Sequence, residues 1–350
     1  MRSRLLPCAL VGLLATPVLL VAQGVSPGAP PGLRLQEVLR IGSPDSTAIE
    51  DPARFWDARS VLVDSSHRIF VLDAGHGRIQ VFASDGRFVK TLGFGIGRSP
   101  GRFLSPTCLF WVEPDNLIGV LDMASSSTTI LSIDGSVIER LDLPRHLEYP
   151  RAALRLPTGA HVVSAFSLRD STTLHLVSPR FRVLESGGRW PADRPTILFR
   201  QFGGAVLGSQ PSIGVVAIQR NPGKVELYDL NLQLTAVMDL SDLVPAADTA
   251  VLWAGPGGVQ MARSTRVREI TGTVPLGAQL LLLSVSRPAS FDAMLVVLDL
   301  RDGARRATTM PDPVEVLGCA FPEHIIMRQV VGAEYIVLYR VLEPKGVCMG

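Results

Sequence analysis

Residues 57–106 hold four short apolar segments in a fixed order, and turn residues separate each segment from the next. The segments are SVLV, RIFVL, IQVF and FVKTL, and Asp85-Gly86 before the last one favours a tight hairpin because both residues tolerate positive φ. RIFVL is apolar on both faces of an extended strand, so both faces must be covered. Sheets stacked face to face around a ring supply that cover. The segment therefore predicts one complete four-stranded antiparallel blade of an all-β propeller.

The third strand of this blade, with the turn after it, recurs along the chain. The later copies are TTILSI before Asp134-Gly135, TLHLV before Ser178-Pro179, VELY before Asp229, MLVVLDL before Asp302-Gly303, and YIVLYRVL near the end. Most intervals are roughly 40–50 residues, the period of a four-stranded blade. This count predicts a six-bladed β-propeller. The interval from Asp229 to Asp302 is longer, and residues 241–277 leave open an extra loop, an elongated inner hairpin or a seventh blade.

The two ends of the chain are expected to share one blade. The sixth blade lacks a fourth strand, because only a short tail follows YIVLYRVL. Leu33–Ile41 is typical of that missing strand and precedes Gly42 as Leu92 precedes Gly93. Pairing of this N-terminal strand with the last blade would remove exposed sheet edges. We therefore assign residues 33–343 to the propeller and 344–350 to a C-terminal tail.

The first residues have the pattern of a cleaved signal peptide. Arg2 and Arg4 precede an apolar run from Leu5 to Val21, and the small residues Ala22 and Gly24 follow it. A spanning helix needs about 20 apolar residues, so we favour cleavage over a retained anchor. Residues 1–24 are assigned to the signal peptide and 25–32 to a flexible leader. The mature protein is then expected to be periplasmic or secreted, with no membrane insertion after cleavage.

The charge balance argues against a nucleic-acid partner. The chain has 34 Lys and Arg against 32 Asp and Glu, a net charge of +2, with no basic block of the kind that nucleic-acid-binding faces carry. An exported protein lies where disulfides persist. Cys319 and Cys348 fall in the same predicted blade, so a bridge between them and two free thiols both stay open. Cys108 lies in an apolar segment and is predicted to be a buried thiol.

No motif in the chain predicts catalysis. There is no Gly-x-Ser-x-Gly elbow and no Cys-x-x-Cys pair, and the six histidines are scattered without ligand spacing. We therefore name no catalytic residue, no metal ligand and no cofactor.

The blade-to-blade loops carry the candidate binding residues. These loops repeatedly contain pairs of arginines, and a propeller brings equivalent loops to one face around its channel. Arginines there would clamp carboxylate, sulfate or phosphate groups through paired hydrogen bonds, and nearby tryptophans favour a sugar. The plain alternative is that arginine is this chain's usual cation and that loops are exposed. The predicted ligand-binding residues are Trp56, His76, Arg98, Arg102, Arg145 and Arg151, with Arg194, Arg200, Trp111 and Trp190 near further loops.

The first blade resembles the NHL repeat. The shared elements are Val63-Asp64, Arg68–Asp73, Arg78–Phe82, Asp85-Gly86, and the glycine-rich stretch Gly93–Pro106 that ends in Phe-x-x-Pro. Later blades keep the strand rhythm and lose this signature. The whole chain resembles the exported six-bladed NHL-like propellers of bacteria, which implies the fold and leaves the activity open, because propellers host many unrelated functions.

Two functional hypotheses follow. The first is an exported, monomeric binding or scaffold module whose loop face holds a protein, peptide or anionic glycan. The alternative is a metal-assisted lactonase or lyase with calcium or zinc in the central channel. Resemblance to gluconolactonase-like propellers would imply acidic and asparagine ligands for the metal, and Glu50, Glu113 and Asn116 are available. We interpret Asp64 and Asp73 instead as turn caps that bind backbone amides.

Overall fold

The computed structural model describes residues 32–43, 51–114, 116–190, 204–210, 213–220, 223–245, 252–255, 258–261, 268–286, 293–310, 312–320, 323–331 and 333–344. The predicted signal peptide, most of the leader and most of the C-terminal tail lie outside these residues. Within them every regular element is a β-strand. The described residues form no helix that is long and apolar enough to span a membrane.

The strands form six four-stranded antiparallel sheets, which are the blades of a six-bladed β-propeller. Blade 1 contains β2 (Ala58–Val63), β3 (Ile69–Asp73), β4 (Arg78–Phe82) and β5 (Phe88–Leu92). Blade 2 contains β6 (Pro106–Glu113), β7 (Leu117–Asp122), β8 (Ser127–Ser132) and β9 (Val137–Asp142). Blade 3 contains β10 (Leu147–Arg155), β11 (His161–Ser167), β12 (Thr172–Val177) and β13 (Val183–Arg189). Blade 4 contains β14 (Ala205–Gln210), β15 (Gly214–Gln219), β16 (Lys224–Tyr228) and β17 (Leu234–Asp239).

A short hairpin separates blade 4 from blade 5. It pairs β18 (Leu252–Gly255) with β19 (Gly258–Met261) and forms its own two-stranded sheet. Blade 5 follows with β20 (Glu269–Leu276), β21 (Leu280–Ser286), β22 (Ala293–Asp299) and β23 (Arg305–Met310). The longer interval in the sequence thus holds an inserted hairpin and the inner strand of blade 5. The propeller has six blades, so the option of a seventh is not realised.

Blade 6 is completed by the N-terminal strand, as the sequence predicts. It contains β24 (Val314–Cys319), β25 (His324–Val331) and β26 (Ala333–Glu343), and β1 (Arg34–Ile41) supplies its outer strand. β1 pairs antiparallel with β26 from Arg34 opposite Glu343 to Ile41 opposite Ile336. The first and last strands of the propeller are therefore hydrogen-bonded to each other.

The inner strands close the ring. The first strand of each blade contacts the first strand of the next, and β24 of blade 6 contacts β2 of blade 1. A separate apolar cluster fills each of the six seams between blades. Strand β3 shows why residues 69–72 of the RIFVL segment are all apolar. Phe70 and Leu72 pack into the seam with blade 2, whereas Ile69 and Val71 pack into the seam with blade 6.

Serine side chains tie neighbouring blades together at three seams. Ser60 Oγ accepts a hydrogen bond from the backbone N–H of Leu109 at 3.0 Å, across the seam between blades 1 and 2. Ser164 and Ser284 accept in the same way from inner-strand amides of blades 4 and 6. An inner strand has no strand partner on its channel side, and a buried amide needs an acceptor. The three serine hydroxyls supply that acceptor for one inner-strand amide at each of three seams.

Two cysteine predictions have different outcomes. Cys108 is a free thiol as predicted, but the residue is half-buried and not fully buried. Its Sγ donates to the backbone oxygen of Leu109 at 3.1 Å, and desolvation raises its pKa. Cys319 is disulfide-bonded. Its predicted partner, Cys348, lies outside the described residues, so that pairing stays a prediction.

Candidate functional site

The upper face of the ring carries the predicted binding residues. We call upper the face where a blade's outer strand crosses to the next inner strand and where second and third strands are joined. Trp56 precedes the inner strand β2, and His76 lies between β3 and β4. Arg98 and Arg102 lie in the crossover from blade 1 to blade 2, and Arg145 lies in the next crossover. These positions follow from the strand order alone.

Asp73 holds the upper loops of blade 1 in place. Its carboxylate is fully buried and accepts hydrogen bonds from the backbone N–H groups of Trp56 and Asp57, at 3.1 and 3.3 Å. It also binds His76 Nδ1 at 2.6 Å and accepts from Arg78 Nε at 3.1 Å. The interpretation of Asp73 as a cap for backbone amides is confirmed. The other predicted cap, Asp64, accepts from the backbone N–H of Arg68 at 2.7 Å.

Blade 2 repeats this arrangement. Asp122 ends the second strand, as Asp73 does in blade 1, and accepts from the backbone N–H groups of Leu104 and Ser105, at 2.6 and 3.2 Å. Both carboxylates therefore fix the chain just before an inner strand begins. The aspartate that ends the second strand of the repeat is a structural residue in these two blades.

Trp56 and His76 are brought into contact, and a second loop lies beside them. Their rings meet edge to face with centroids 5.8 Å apart, and the indole also lies against Gly75. The adjacent Gly77 has φ of +63°, and a Cβ there would lie 2.8 Å from the carbonyl carbon of Gly95. The loop of His76 therefore contacts both the loop of Trp56 and the crossover loop.

The crossover loop is held by internal hydrogen bonds and turns two apolar side chains outward. Phe103 is its buried anchor, with its N–H bonded to the oxygen of Gly95 at 3.1 Å and its oxygen bonded to the N–H of Gly97 at 3.2 Å. The Phe94 N–H donates to the oxygen of Gly101 at 2.7 Å. Phe94 and Ile96 nevertheless leave 60% and 56% of their surface exposed. Trp56, on the other loop that contacts His76, is 66% exposed.

Arg98 and Arg102 lie on the same loop and are exposed. Arg102 Nη1 donates to the backbone oxygen of Ile96 at 3.4 Å, so its guanidinium lies beside the exposed isoleucine. The backbone oxygen of Arg98 accepts from Arg140 Nη1 of blade 2 at 2.8 Å. We call the surface formed by Trp56, Phe94, Ile96, Arg98 and Arg102 the blade 1 patch. It unites three predicted ligand-binding residues with two that the sequence did not mark.

The other predicted residues lie elsewhere. Arg145 is exposed in the crossover from blade 2 to blade 3. Arg151 is half-buried in β10, where its side chain packs against Gly204 at the start of blade 4. Arg194 and Arg200 lie outside the described residues. A ligand role for Arg145 and Arg151 stays a prediction.

Two of the tryptophans near the loops pack against the core. Trp190 is buried against Phe166, and the half-buried Trp111 packs edge to face with Phe70 in the seam between blades 1 and 2. The burial of Trp190 leaves no open ring face for stacking on a sugar. Trp56 differs from both in its exposure.

The described residues contain no group of three or more His, Cys, Asp or Glu side chains arranged to hold a metal ion. Glu113 and Asn116 lie in the β6–β7 turn on the lower face, and Glu50 lies outside the described residues. Burial lowers the pKa values of His161 and His175 to about 4, so both rings are neutral core groups near neutral pH.

A second polar cluster, at the upper end of the seam between blades 6 and 1, was missed by the sequence analysis. Arg328 of β25 lies 3.1 Å from a carboxylate oxygen of Glu334, 3.4 Å from one of Glu315 and 3.5 Å from one of Asp57. Asp57 also pairs with Arg59 at 2.6 Å. Glu334 accepts a short hydrogen bond from the backbone N–H of Ala58 in blade 1. We call these five charged residues the channel cluster.

Burial dominates the electrostatics of the channel cluster. It raises the pKa values of Glu315 and Glu334, and the charge of Arg328 opposes the increase. The Glu315 side chain nevertheless keeps 27% of its surface accessible. The residues come from three separate stretches of sequence, and none lies in a motif, so no local signal marks them.

No protein-family model matches the chain, and no curated protein matches it. Solved structures match over nearly its whole length. A Bacteroides fragilis protein assigned to the exported class aligns with a TM-score of 0.59 and 9% identity, covering 89% of this chain and 95% of that one. A member of the DUF4221 family from Bacteroides vulgatus aligns with a TM-score of 0.58 and 8% identity, covering 88% and 98%.

A luciferin-regenerating enzyme aligns similarly, with a TM-score of 0.56 and 9% identity, covering 90% of this chain and 97% of the enzyme. At such identities the likeness shows the propeller fold and nothing finer. The same architecture occurs in an enzyme and in two proteins whose names give no activity, so the fold does not identify the function of this chain.

Proposed function

We propose that this protein is an exported binding module that holds a protein partner against the upper face of blade 1. The observation that carries the proposal is the blade 1 patch, in which Trp56, Phe94 and Ile96 are each more than half exposed on two loops that both contact the loop of His76. Single exposed apolar residues are ordinary on proteins, whereas contiguous ones mark interaction sites.

The composition of the patch supports a protein partner. Trp, Phe and Arg are the residue types enriched in the cores of protein interfaces, and Trp and Arg dominate binding energy when truncated. The patch contains one Trp, one Phe and two Arg among its five residues. Its loops are also fixed before binding, by Asp73 and by Phe103, so association would cost little ordering of the chain.

Two observations support export. Arg2, Arg4 and the apolar run that follows have the order of a secretory signal. Cys319 is disulfide-bonded, and an oxidising compartment preserves such a bond.

Site-specific photo-cross-linking in the native host tests the proposal. A photoreactive phenylalanine analogue replaces Phe94, and the matched control carries it at Asp134, in the β8–β9 turn on the lower face. We expect illumination to give a discrete higher-mass protein adduct from position 94 and none from position 134. The adduct should disappear when Trp56→Ala is added. No adduct from position 94, or the same adduct from both faces, would refute a partner on blade 1.

A further inference from the structure

We infer that the partner segment held by the blade 1 patch is acidic and carries apolar side chains. This inference rests on the proposed function and adds the chemistry of the ligand. The patch joins two kinds of surface, one apolar and one cationic, and a segment that satisfies only one of them would leave the other exposed.

The cationic half has no ion pair of its own among the residues that the structure describes. Several arginines in other turns are paired with carboxylates, as in Arg68 with Asp64, Arg78 with Asp73 and Arg301 with Asp299. Arg98 and Arg102 instead contact backbone oxygen and arginine, through the bond from Arg102 to Ile96 and the bond from Arg140 to Arg98. Two exposed guanidinium groups on one loop are therefore available to a partner's acidic side chains, which arginine binds with two parallel hydrogen bonds.

A third arginine adds to this charge. Arg140 of β9 donates to the backbone oxygen of Arg98 at 2.8 Å and to Ser127 Oγ at 3.1 Å. Its positive charge is thus held beside the same loop without a carboxylate among its hydrogen-bond partners. Like charges gathered at one site raise the local potential and attract a partner of opposite sign.

The apolar half distinguishes a polypeptide from an anionic glycan or a free phosphate. Ile96 and Phe94 offer surface that only apolar groups cover well, and the Arg102 guanidinium lies directly beside Ile96. An acidic residue two positions from an aromatic or aliphatic one in an extended segment would meet both halves at once, because alternate side chains lie on the same face about 7 Å apart.

Binding of three defined polymers tests the inference with the full mature chain. The probes are a random glutamate–tyrosine copolymer, poly-glutamate of equal charge and polygalacturonate, each titrated onto immobilised protein. We expect the copolymer to bind at least about tenfold more tightly than either of the others. Equal or tighter binding of poly-glutamate would show that charge alone accounts for binding at the site. Equal or tighter binding of polygalacturonate would show that the site prefers an anionic glycan. Either result overturns the inference.

A matched pair of double variants locates the binding. Arg98→Glu with Arg102→Glu should weaken copolymer binding by at least about tenfold. Arg180→Glu with Arg182→Glu makes the same change of charge on two exposed arginines of the lower β12–β13 turn and should leave binding within about twofold. Equal losses in both would show non-specific attraction and defeat the inference. Because all four side chains are exposed, unchanged thermal melting confirms that each variant is folded.

The two proposals fail in different ways. An adduct from position 94 without copolymer binding would leave a partner on blade 1 but contradict its acidic, apolar chemistry. Absence of both results would remove the proposed function together with this inference.

Discussion

At the scale of single residues, His161 shows how the seams treat a titratable group. It is fully buried between blades 2 and 3, stacked on Phe181 at a ring separation of 5.6 Å and edge-on to Phe110 at 5.3 Å. Burial lowers its pKa from 6.5 to about 4. An aromatic ring without charge suits this site, and an imidazolium would be poorly solvated there.

His161→Phe should therefore make the protein less sensitive to acid. The folded pKa lies below the unfolded one, so the stabilising contribution is complete above pH 6.5 and is lost as the pH falls through about 4. At about 1.4 kcal/mol per unit, the wild type should lose up to about 3 kcal/mol across this range that the variant retains. Urea denaturation at a series of pH values measures the difference.

The control for this variant is His67→Asn. His67 is exposed and has φ of +63°, a conformation that asparagine tolerates. Its stability should follow the wild type across the pH range. If His161→Phe does the same, burial of a neutral imidazole does not contribute to acid sensitivity.

At the scale of the element, strand β1 decides whether the last blade is complete. Most of its residues are exposed, including Val38 at 41%, whereas Ile41 is only 5% exposed and packs in the seam between blades 6 and 1. The strand therefore contributes both backbone pairing along β26 and an apolar contact to the core. Its contribution to stability should reside in its buried side chains.

Ile41→Ala should destabilise the protein by about 2–4 kcal/mol, because it removes buried methyl groups from a filled seam. Val38→Ala on the same strand removes a similar side chain from the surface and should cost no more than about 0.5 kcal/mol. Chemical denaturation of the two variants beside the wild type measures both. Similar costs for the two would mean that β1 acts through its hydrogen bonds alone.

The elements show what sequence patterns reveal and what they cannot. The apolar RIFVL segment, the turn at Asp85-Gly86 and the sharing of blade 6 between the chain ends were predicted, because each depends on local pattern or on counting strands. The channel cluster was not. Asp57, Glu315 and Glu334 become neighbours only when the ring closes, and blade 6 has lost the signature that would align its positions with blade 1.

The blade 1 patch was predicted from the sequence only in part. Trp56, Arg98 and Arg102 were predicted because polar and aromatic residues in crossover loops point to binding. Phe94 and Ile96 were not, because an apolar residue in a glycine-rich loop gives no sign of whether it faces the core. The hydrogen bonds of Phe103 within the loop determine that Phe103 is buried while the other two are exposed.

At the scale of the whole molecule, the closed ring gives every blade two neighbours. Each of the six seams has its own apolar cluster, and hydrogen bonds from Ser60, Ser164 and Ser284 cross three of them. An open stack of repeats has end units that unfold separately. A ring has no end unit, so no blade has a structural reason to open first.

The seam between blades 6 and 1 is therefore the place to test cooperativity. Within blade 6, the pairing of β1 with β26 takes the place of a covalent turn, and Arg328 and Glu334 reach Asp57 and Ala58 of blade 1 across the seam. Native-state hydrogen exchange should give one opening free energy for the buried second strands β3 and β15, which belong to blades 1 and 4 on opposite sides of the ring. Ile41→Asp, which places a charge in the seam, should lower that free energy equally in both strands. If β3 loses protection while β15 keeps it, the blades unfold as an open array and the ring is not one cooperative unit.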